Sequence, residues 1–197
     1  MGLSLRDISS KLREPDTLIT TKDAIPPRGF RAAAVIIPLV QRDDKVNVIF
    51  NKRAKNLQTH AGQVGFPGGR RDLTDPSLCY TAERELQEEL RIDPKRHDVL
   101  CRLAPRLVVS YYEVTPFVSV IDSSAEIYPD PAEVQYAFEV PLDHFMMSGT
   151  ETATDREIFG KRRIFYAWEW KDEVVWGATG RFVADFIRAL GASHVEP

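Results

Sequence analysis

The sequence predicts an α/β layered domain, and three observations carry that prediction. Apolar and β-branched runs of strand length recur along the chain, and helical periodicity marks both ends and the middle. The 197 residues are 43% apolar and 28% charged. That balance is globular, excludes a disordered or fibrous chain, and suffices for a core without staples.

Leu5, Ile8 and Leu12 lie three and four apart and predict a short amphipathic helix. Pro15 should end it, because proline disfavours a helical conformation in the residue before it. Pro26 and Pro27 break the chain again ahead of Gly29, so residues 1–29 read as a helix and arm before a domain over 30–197. Residues 30–40 form an almost unbroken apolar run, the pattern of a strand buried on both faces. Residues 46–50 read as its hairpin partner across Asp43-Asp44. Residues 52–71 hold Gly62, Gly65, Gly68, Gly69 and Pro67 and read as a long structured loop. Asp75-Pro76 reads as an N-cap followed by Pro at the first helical position, opening a helix to about Leu90 or Arg91. Residues 99–109, 114–121, 134–140 and 158–170 read as strands, with Pro105 and Pro116 placing the first two at an edge. Val183, Phe186, Ile187 and Leu190 mark the core face of a last helix.

Lys plus Arg number 26 and Asp plus Glu 29, giving a net charge of −3. This weakly acidic balance argues against non-specific nucleic-acid binding, which needs a basic footprint. Cys79 and Cys101 read as reduced thiols. The longest apolar run, 32–40, contains Pro38 and is far short of the roughly 20 residues that span a bilayer. The N-terminus lacks an apolar signal core, Asp7, Glu14 and Asp16 argue against a transit peptide, and Arg6 breaks a myristoylation pattern. Cytoplasm is the compartment expected by elimination, with mitochondrial and peroxisomal alternatives left open.

The chemistry is concentrated in Gly65-Phe66-Pro67-Gly68-Gly69 and Arg84-Glu85-Leu86-Gln87-Glu88-Glu89. Glu85, Glu88 and Glu89 stand at i, i+3 and i+4, on one helical face, where each like-charge pair costs roughly a few tenths of a kcal/mol. Position i+4 from Glu85, Glu88 and Glu89 is Glu89, Ile92 and Asp93, so no base follows to relieve them. Arg84, four before Glu88, relieves them in part. Hard oxygen ligands of this kind suit Mg²⁺ or Mn²⁺. Gly68 and Gly69 let the backbone approach a ligand closely. Arg84 lies about 100° around the helix from Glu85, so it is expected to turn away from a metal and orient the loop or a Glu, with Asp75 in reach.

Residues 69–92 resemble the signature box of the Nudix hydrolases: a Gly, an acid, then Arg-Glu-x-x-Glu-Glu on a helix. Arg84, Glu85, Glu88 and Glu89 match it fully. Asp75 or Asp72 stands where the first acid is usually Glu, the interval from Gly69 to Arg84 is one residue longer than the common form, and Arg91 replaces the usual Gly after the helix. A second motif, Asn51-Lys52-Arg53-Ala54 followed by His60-Ala61-Gly62-Gln63-Val64-Gly65-Phe66-Pro67-Gly68-Gly69, resembles the coenzyme A diphosphatase branch, which also has the longer box. Further similarity lies in Val114-Thr115-Pro116-Phe117, Asp130-Pro131-Ala132-Glu133-Val134 and Trp176-Gly177-Ala178-Thr179, while Gln58 stands where the branch usually carries Arg.

The resemblance implies a Nudix-type α/β/α sandwich with a mixed sheet and a metal-dependent diphosphatase. Its expected products from coenzyme A or its acyl derivatives are 3′,5′-ADP and (acyl) 4′-phosphopantetheine. Glu85, Glu88, Glu89 and Gly69 form the expected metal set. Glu88 or Glu89 is the expected base, with Arg84 as a further member of the catalytic group. Arg53, His60 and Gly68 are the expected substrate contacts, and Glu113 and Glu133 are further acids to place. The partner implied is a small nucleoside diphosphate, with no membrane, and a homodimer is compatible. Competing readings are another Nudix substrate, such as ADP-ribose or capped RNA, and an inactive Nudix-fold binding protein.

Overall fold

The computed structural model describes residues 2–12, 23, 25–158 and 160–196. The elements run α1 (Leu5–Leu12), β1 (Arg31–Arg42), β2 (Lys45–Arg53), β3 (Val64–Gly65), β4 (Gly68–Arg70), α2 (Leu78–Leu90), β5 (His97–Arg102), β6 (Arg106–Val108), β7 (Tyr112–Ile121), β8 (Val134–Pro141), α3 (Leu142–Met146), β9 (Glu151–Ile158), β10 (Lys161–Trp170), β11 (Glu173–Val175) and α4 (Gly177–Ala189). The expected stop at Pro15 lies outside the described residues, as does most of the arm.

A mixed sheet of eight strands is the frame. β1 runs parallel to β7 over its length, and every other pairing in this sheet is antiparallel. The apolar run predicted over 30–40 is a strand covered on both faces, as its composition demands. Ala34, Ile36 and Val40 meet Leu78, Ala82, Leu86 and Leu90 of α2. Ala33, Ile37 and Leu39 face a larger cluster that includes α4 and the second, three-stranded sheet β11-β10-β9. The period of two along the strand produces this division. Ile8 and Leu12 of α1 belong to the larger cluster and have no exposed surface.

The loop expected over 52–71 is more regular than its glycines suggest. β1 and β2 pair only from Leu39 to Arg42 and then splay. The chain returns into that fork, where β3 adds to β2 and β4 adds to β1. Pro67 O accepts from Ile36 N at 2.9 Å between the two pairings. Gly68 is required there: a Cβ would lie 2.7 Å from the Val35 Cα and collide with the Ala34 carbonyl.

Four other expectations are corrected. Asp75 is not the N-cap. Ser77 is, accepting from Tyr80 N at 3.1 Å, because the Asp75 carboxylate is held elsewhere. The strand over 99–109 is two, β5 and β6, divided by the segment around Pro105. Pro116 lies on β7, a central strand. Its missing N–H is tolerated because β5 and β6 leave a gap opposite it, where its carbonyl accepts from Leu103 N. The strand over 158–170 begins at Lys161 and hairpins with β9, whose polar sequence gave no strand signal.

Cys79 and Cys101 are both free, and burial pushes both thiols up to about 12. No helix among the described residues is long and apolar enough to cross a membrane.

Candidate active site

α2 carries the glutamates, and its packing decides how each is presented. Leu78, Ala82, Leu86 and Leu90 form an i, i+4 stripe on the sheet. Glu85 and Glu89 flank that stripe, whereas Glu88 is turned outward with 54% of its side chain exposed. Glu89 is only 2% exposed. Asn51 Nδ2 donates to its Oε2, and Arg53 Nη1 stands 3.9 Å from its Oε1. Burial pushes the Glu89 carboxyl up to about 8. The Arg53 charge opposes that rise, Glu85 and Glu133 add to it, and the Asn51 hydrogen bond opposes it.

Glu85 meets the glycine turn. A Cβ on Gly69 would lie 2.6 Å from the Glu85 Cδ, so any side chain at 69 displaces this carboxylate. Burial raises the Glu85 carboxyl as well, against the pull of the Arg84 charge and hydrogen bond. The like charges of Glu88 and Glu133 add to the rise. Glu133, read from the sequence as an acid to place, is thus part of the local field. Its carbonyl accepts from Ala54 N, which puts the start of β8 beside the end of β2. Glu113 lies on β7, paired with Ala32 and Leu107, and is linked to none of these groups by a described contact.

Arg84 organises the acids. Its Nη2 and Nε bind Asp75 Oδ2 and Oδ1 at 3.1 and 3.2 Å, and its Nη2 also donates to Arg70 O at 3.3 Å. Thr81 Oγ1 and Asp72 N donate to the same Asp75 oxygen, at 2.9 and 3.0 Å. Burial alone raises the Asp75 carboxyl, but these hydrogen bonds and the guanidinium hold it below the usual carboxylate range. The expected contact with Asp75 is therefore present. The expectation that Arg84 orients the loop or a Glu is met on both counts. Its Nη1 lies 2.9 Å from Glu85 Oε1 and 2.8 Å from Glu88 Oε2, because a flexible guanidinium can reach both a neighbour and the next turn.

Among the described residues no three His, Cys, Asp or Glu side chains converge as a ready metal cage. The reason is visible: one guanidinium NH₂ lies between Glu85 and Glu88 and serves as their cation. The residues nonetheless fit a hard divalent ion. Three carboxylates share one helical face, Gly69 leaves room for one of them, and Asn51 Oδ1 beside Glu89 is buried without a partner.

The expected substrate contacts are dispersed. Arg53 ends β2 against Glu89, with its Nε buried and unpartnered. Gly68 opens β4. His60 sits exposed in the β2–β3 turn at φ 56°, with Nδ1 3.0 Å from Gln63 Oε1, and no described contact ties it to the glutamates. Arg91, in place of Gly after the helix, adopts the left-handed conformation at φ 58° and closes α2 through its N–H to Gln87 O. Its Nη2 binds Asp130 at 2.6 Å. Sequence reasoning gave Asn51 no role of its own, since only the pairing of β2 against α2 reveals it.

The model of the NUDIX domain family matches residues 29–160. The uncharacterized Nudix hydrolase NudL of Yersinia pestis (strain Pestoides F) is 34% identical over 174 residues, covering 88% of this chain and 86% of that protein. NudL of Yersinia pseudotuberculosis serotype O:1b gives the same figures. Among solved structures, a Nudix hydrolase from M. Smegmatis, RenU, superposes with a TM-score of 0.50 at 17% identity, over 58% of this chain and 72% of that one.

Proposed function

The chain belongs to the Nudix family of hydrolases, and from that premise we propose that it hydrolyses the diphosphate bond of coenzyme A or its acyl derivatives. The observation that carries the reading is the placement of Glu85, Glu88 and Glu89 on one face of α2, beside a glycine turn shaped around Glu85. The run from Asn51 to Gly69 and the lengthened box support coenzyme A as the substrate.

Glu85, Glu88 and Glu89 would hold Mg²⁺ or Mn²⁺, with Gly69 at the same place. When bound, such an ion neutralises diphosphate charge and makes water a better nucleophile. Water oxygen attacks one phosphorus, the bridging P–O bond breaks, and two phosphomonoesters leave: 3′,5′-ADP and 4′-phosphopantetheine or its acyl form. Glu88 or Glu89 takes the proton that the water loses. Asn51 and Arg53 fix the Glu89 carboxylate, so its orientation is set before substrate arrives. Arg84, locked on Asp75, holds the strand β4 to the helix through the Arg70 carbonyl and keeps Gly69 against Glu85. Arg53, His60 and the Gly68 backbone are the substrate-facing groups.

The test is a panel of coenzyme A, acetyl coenzyme A, ADP-ribose and capped RNA, with product identification and with or without chelator. Conversion of coenzyme A to 3′,5′-ADP and 4′-phosphopantetheine, lost with chelator and in Glu88→Gln, is the expected result. Turnover of ADP-ribose or capped RNA with coenzyme A untouched overturns the substrate. No turnover of any compound overturns the enzymatic reading in favour of a binding protein.

A further inference from the structure

A cleft of about 720 Å³ contains none of Glu85, Glu88 and Glu89 and none of the glycine turn. β6, the β9–β10 hairpin and the start of α4 line it. α4 packs on the sheet face opposite α2, since Phe182, Val183, Phe186 and Ile187 belong to the larger core cluster. Its volume is that of a small-molecule site.

Its charge is one-sided. Arg106, Arg156, Arg162, Arg163 and Arg181 line it, against Glu196 as the one acid among the described lining residues. Arg106 is held by Asp185 and Arg162 by Asp155. Arg156 and Arg163 have no ion-pair or side-chain hydrogen-bond partner among the described residues, and Arg163 Nε is buried and unsatisfied. These two are also register partners across the hairpin. Like charges directly opposite one another on a sheet destabilise it, and a buried donor left unpaired costs free energy. Both costs vanish if an anion sits between the two guanidiniums.

Two further features narrow the anion. Gly177 and Ala178, the first residues of α4, line the same cleft, and Trp176 offers no side-chain cap to that helix. The helix N-terminus thus adds uncapped N–H groups where phosphate oxygens bind well. Phe165, cross-strand from Thr154, and the half-exposed Trp176 add aromatic surface to the same walls. Guanidinium forks suit phosphate, and aromatic faces suit a planar base.

We propose that this cleft is a second binding site, for a free nucleotide, with the phosphates on Arg156, Arg163 and the start of α4 and the base against Phe165 or Trp176. The inference rests on the cleft alone and is independent of which diphosphate the glutamates cleave.

The experiment is calorimetric titration of the full chain with ADP in the presence of EDTA, which removes any metal-bridged binding at the glutamates. Adenosine and inorganic phosphate are titrated alongside. The expected result is one ADP per chain, bound more tightly than phosphate or adenosine. Arg156→Ala/Arg163→Ala should weaken it about tenfold or more, as loss of charged hydrogen bonds predicts. Glu88→Gln should leave it unchanged.

Thermal melting supplies the second readout. ADP should raise the midpoint of the wild-type protein and not that of the double variant. Without ligand, the double variant should melt no lower than wild type, because it loses a repulsion. Should it melt lower, Arg163→Gln alone carries the comparison. The proposal is overturned if ADP at millimolar concentration gives no binding, if the arginine variants bind it as wild type does, or if Glu88→Gln weakens it. It is equally overturned if a single-stranded RNA oligonucleotide binds through these arginines and ADP does not.

Discussion

Two charge clusters in this molecule are mirror images. On α2, one guanidinium, Arg84, serves several carboxylates: Asp75, Glu85 and Glu88 within 3.1 Å and Asp72 at 4.0 Å. On α4, one carboxylate, Asp185, serves three guanidiniums: Arg106 at 2.7 Å, Arg188 at 2.8 Å and Arg181 at 3.4 Å. Burial lowers the Arg181 guanidinium, Asp185 opposes that, and Arg106 and Arg188 add to it, the counterpart of what the acids do to one another around Glu85. Each cluster is short of one sign of charge. The acidic one lies beside a glycine turn and calls for a cation. The basic one borders an aromatic cleft and calls for an anion. A protein of almost balanced net charge can thus hold strongly unbalanced sites on opposite faces of one sheet.

The largest effect expected from breaking this symmetry is catalytic. Under the proposed function, Glu85→Gln or Glu88→Gln should lower kcat/KM for the cleaved diphosphate by about 10²–10⁴ with unchanged urea unfolding, since Glu85 would hold the metal and Glu88 would hold it or take the proton. A stable variant of full activity removes that cluster from the chemistry. The counterpart on α4 should act on stability instead. Asp185→Asn leaves three guanidiniums without their shared anion and should cost about 2–3 kcal/mol by urea unfolding, since Arg106 and Arg188 keep contact with water. An unchanged midpoint denies Asp185 its structural role.

Arg84→Lys sharpens the comparison further. It keeps the charge but not the fork that grips Asp75 through two nitrogens, so activity should fall about tenfold. Equal activity in the two proteins reduces Arg84 to a point charge.

The smallest effect is a pH dependence away from both clusters. Glu173 accepts from Lys52 Nζ at 2.6 Å and from Tyr136 Oη. Burial raises its carboxyl, but the hydrogen bonds and the Lys52 charge outweigh burial and hold it below the ordinary value. A depressed folded pKa gives stability that is full above the unfolded value of about 4.3 and is lost as pH falls through the folded one. The stability gap between wild type and Glu173→Gln should therefore be flat from neutral pH to about 5 and close below it. A gap that widens on acidification contradicts the sign.

These sites differ in how far the sequence discloses them. Glu85, Glu88 and Glu89 are legible because they share one helix, and helical spacing alone puts them on one face. Asn51 is not, since its role depends on a strand paired far along the chain. Asp185 looks like a routine helix residue until Arg106 is brought to it from β6. Asp75-Pro76 carries a start signal that the structure overrules, because Arg84 and Thr81 compete for the same carboxylate and Ser77 takes the cap. The polar run of β9 reads as loop, since it becomes a strand only by pairing with β10. Glycines at 62–69 suggested irregular chain, but the splay of β1 from β2 made room there for two short strands.

The parallel pairing of β1 with β7 has a consequence for assembly. Arg31 meets Tyr112, and the chain between β1 and β7, with α2 and five strands of the same sheet, forms one long excursion between the two partners. Closing such an excursion is entropically costly and slow compared with forming the hairpin of β1 and β2. The glutamates can become helical early and β4 can pair with β1 before β7 arrives, yet the part of the α2 seat that β7 supplies exists only once the excursion has closed. During synthesis, the proposed hydrolytic site should therefore be complete only after the segment carrying Ile121 has left the ribosome.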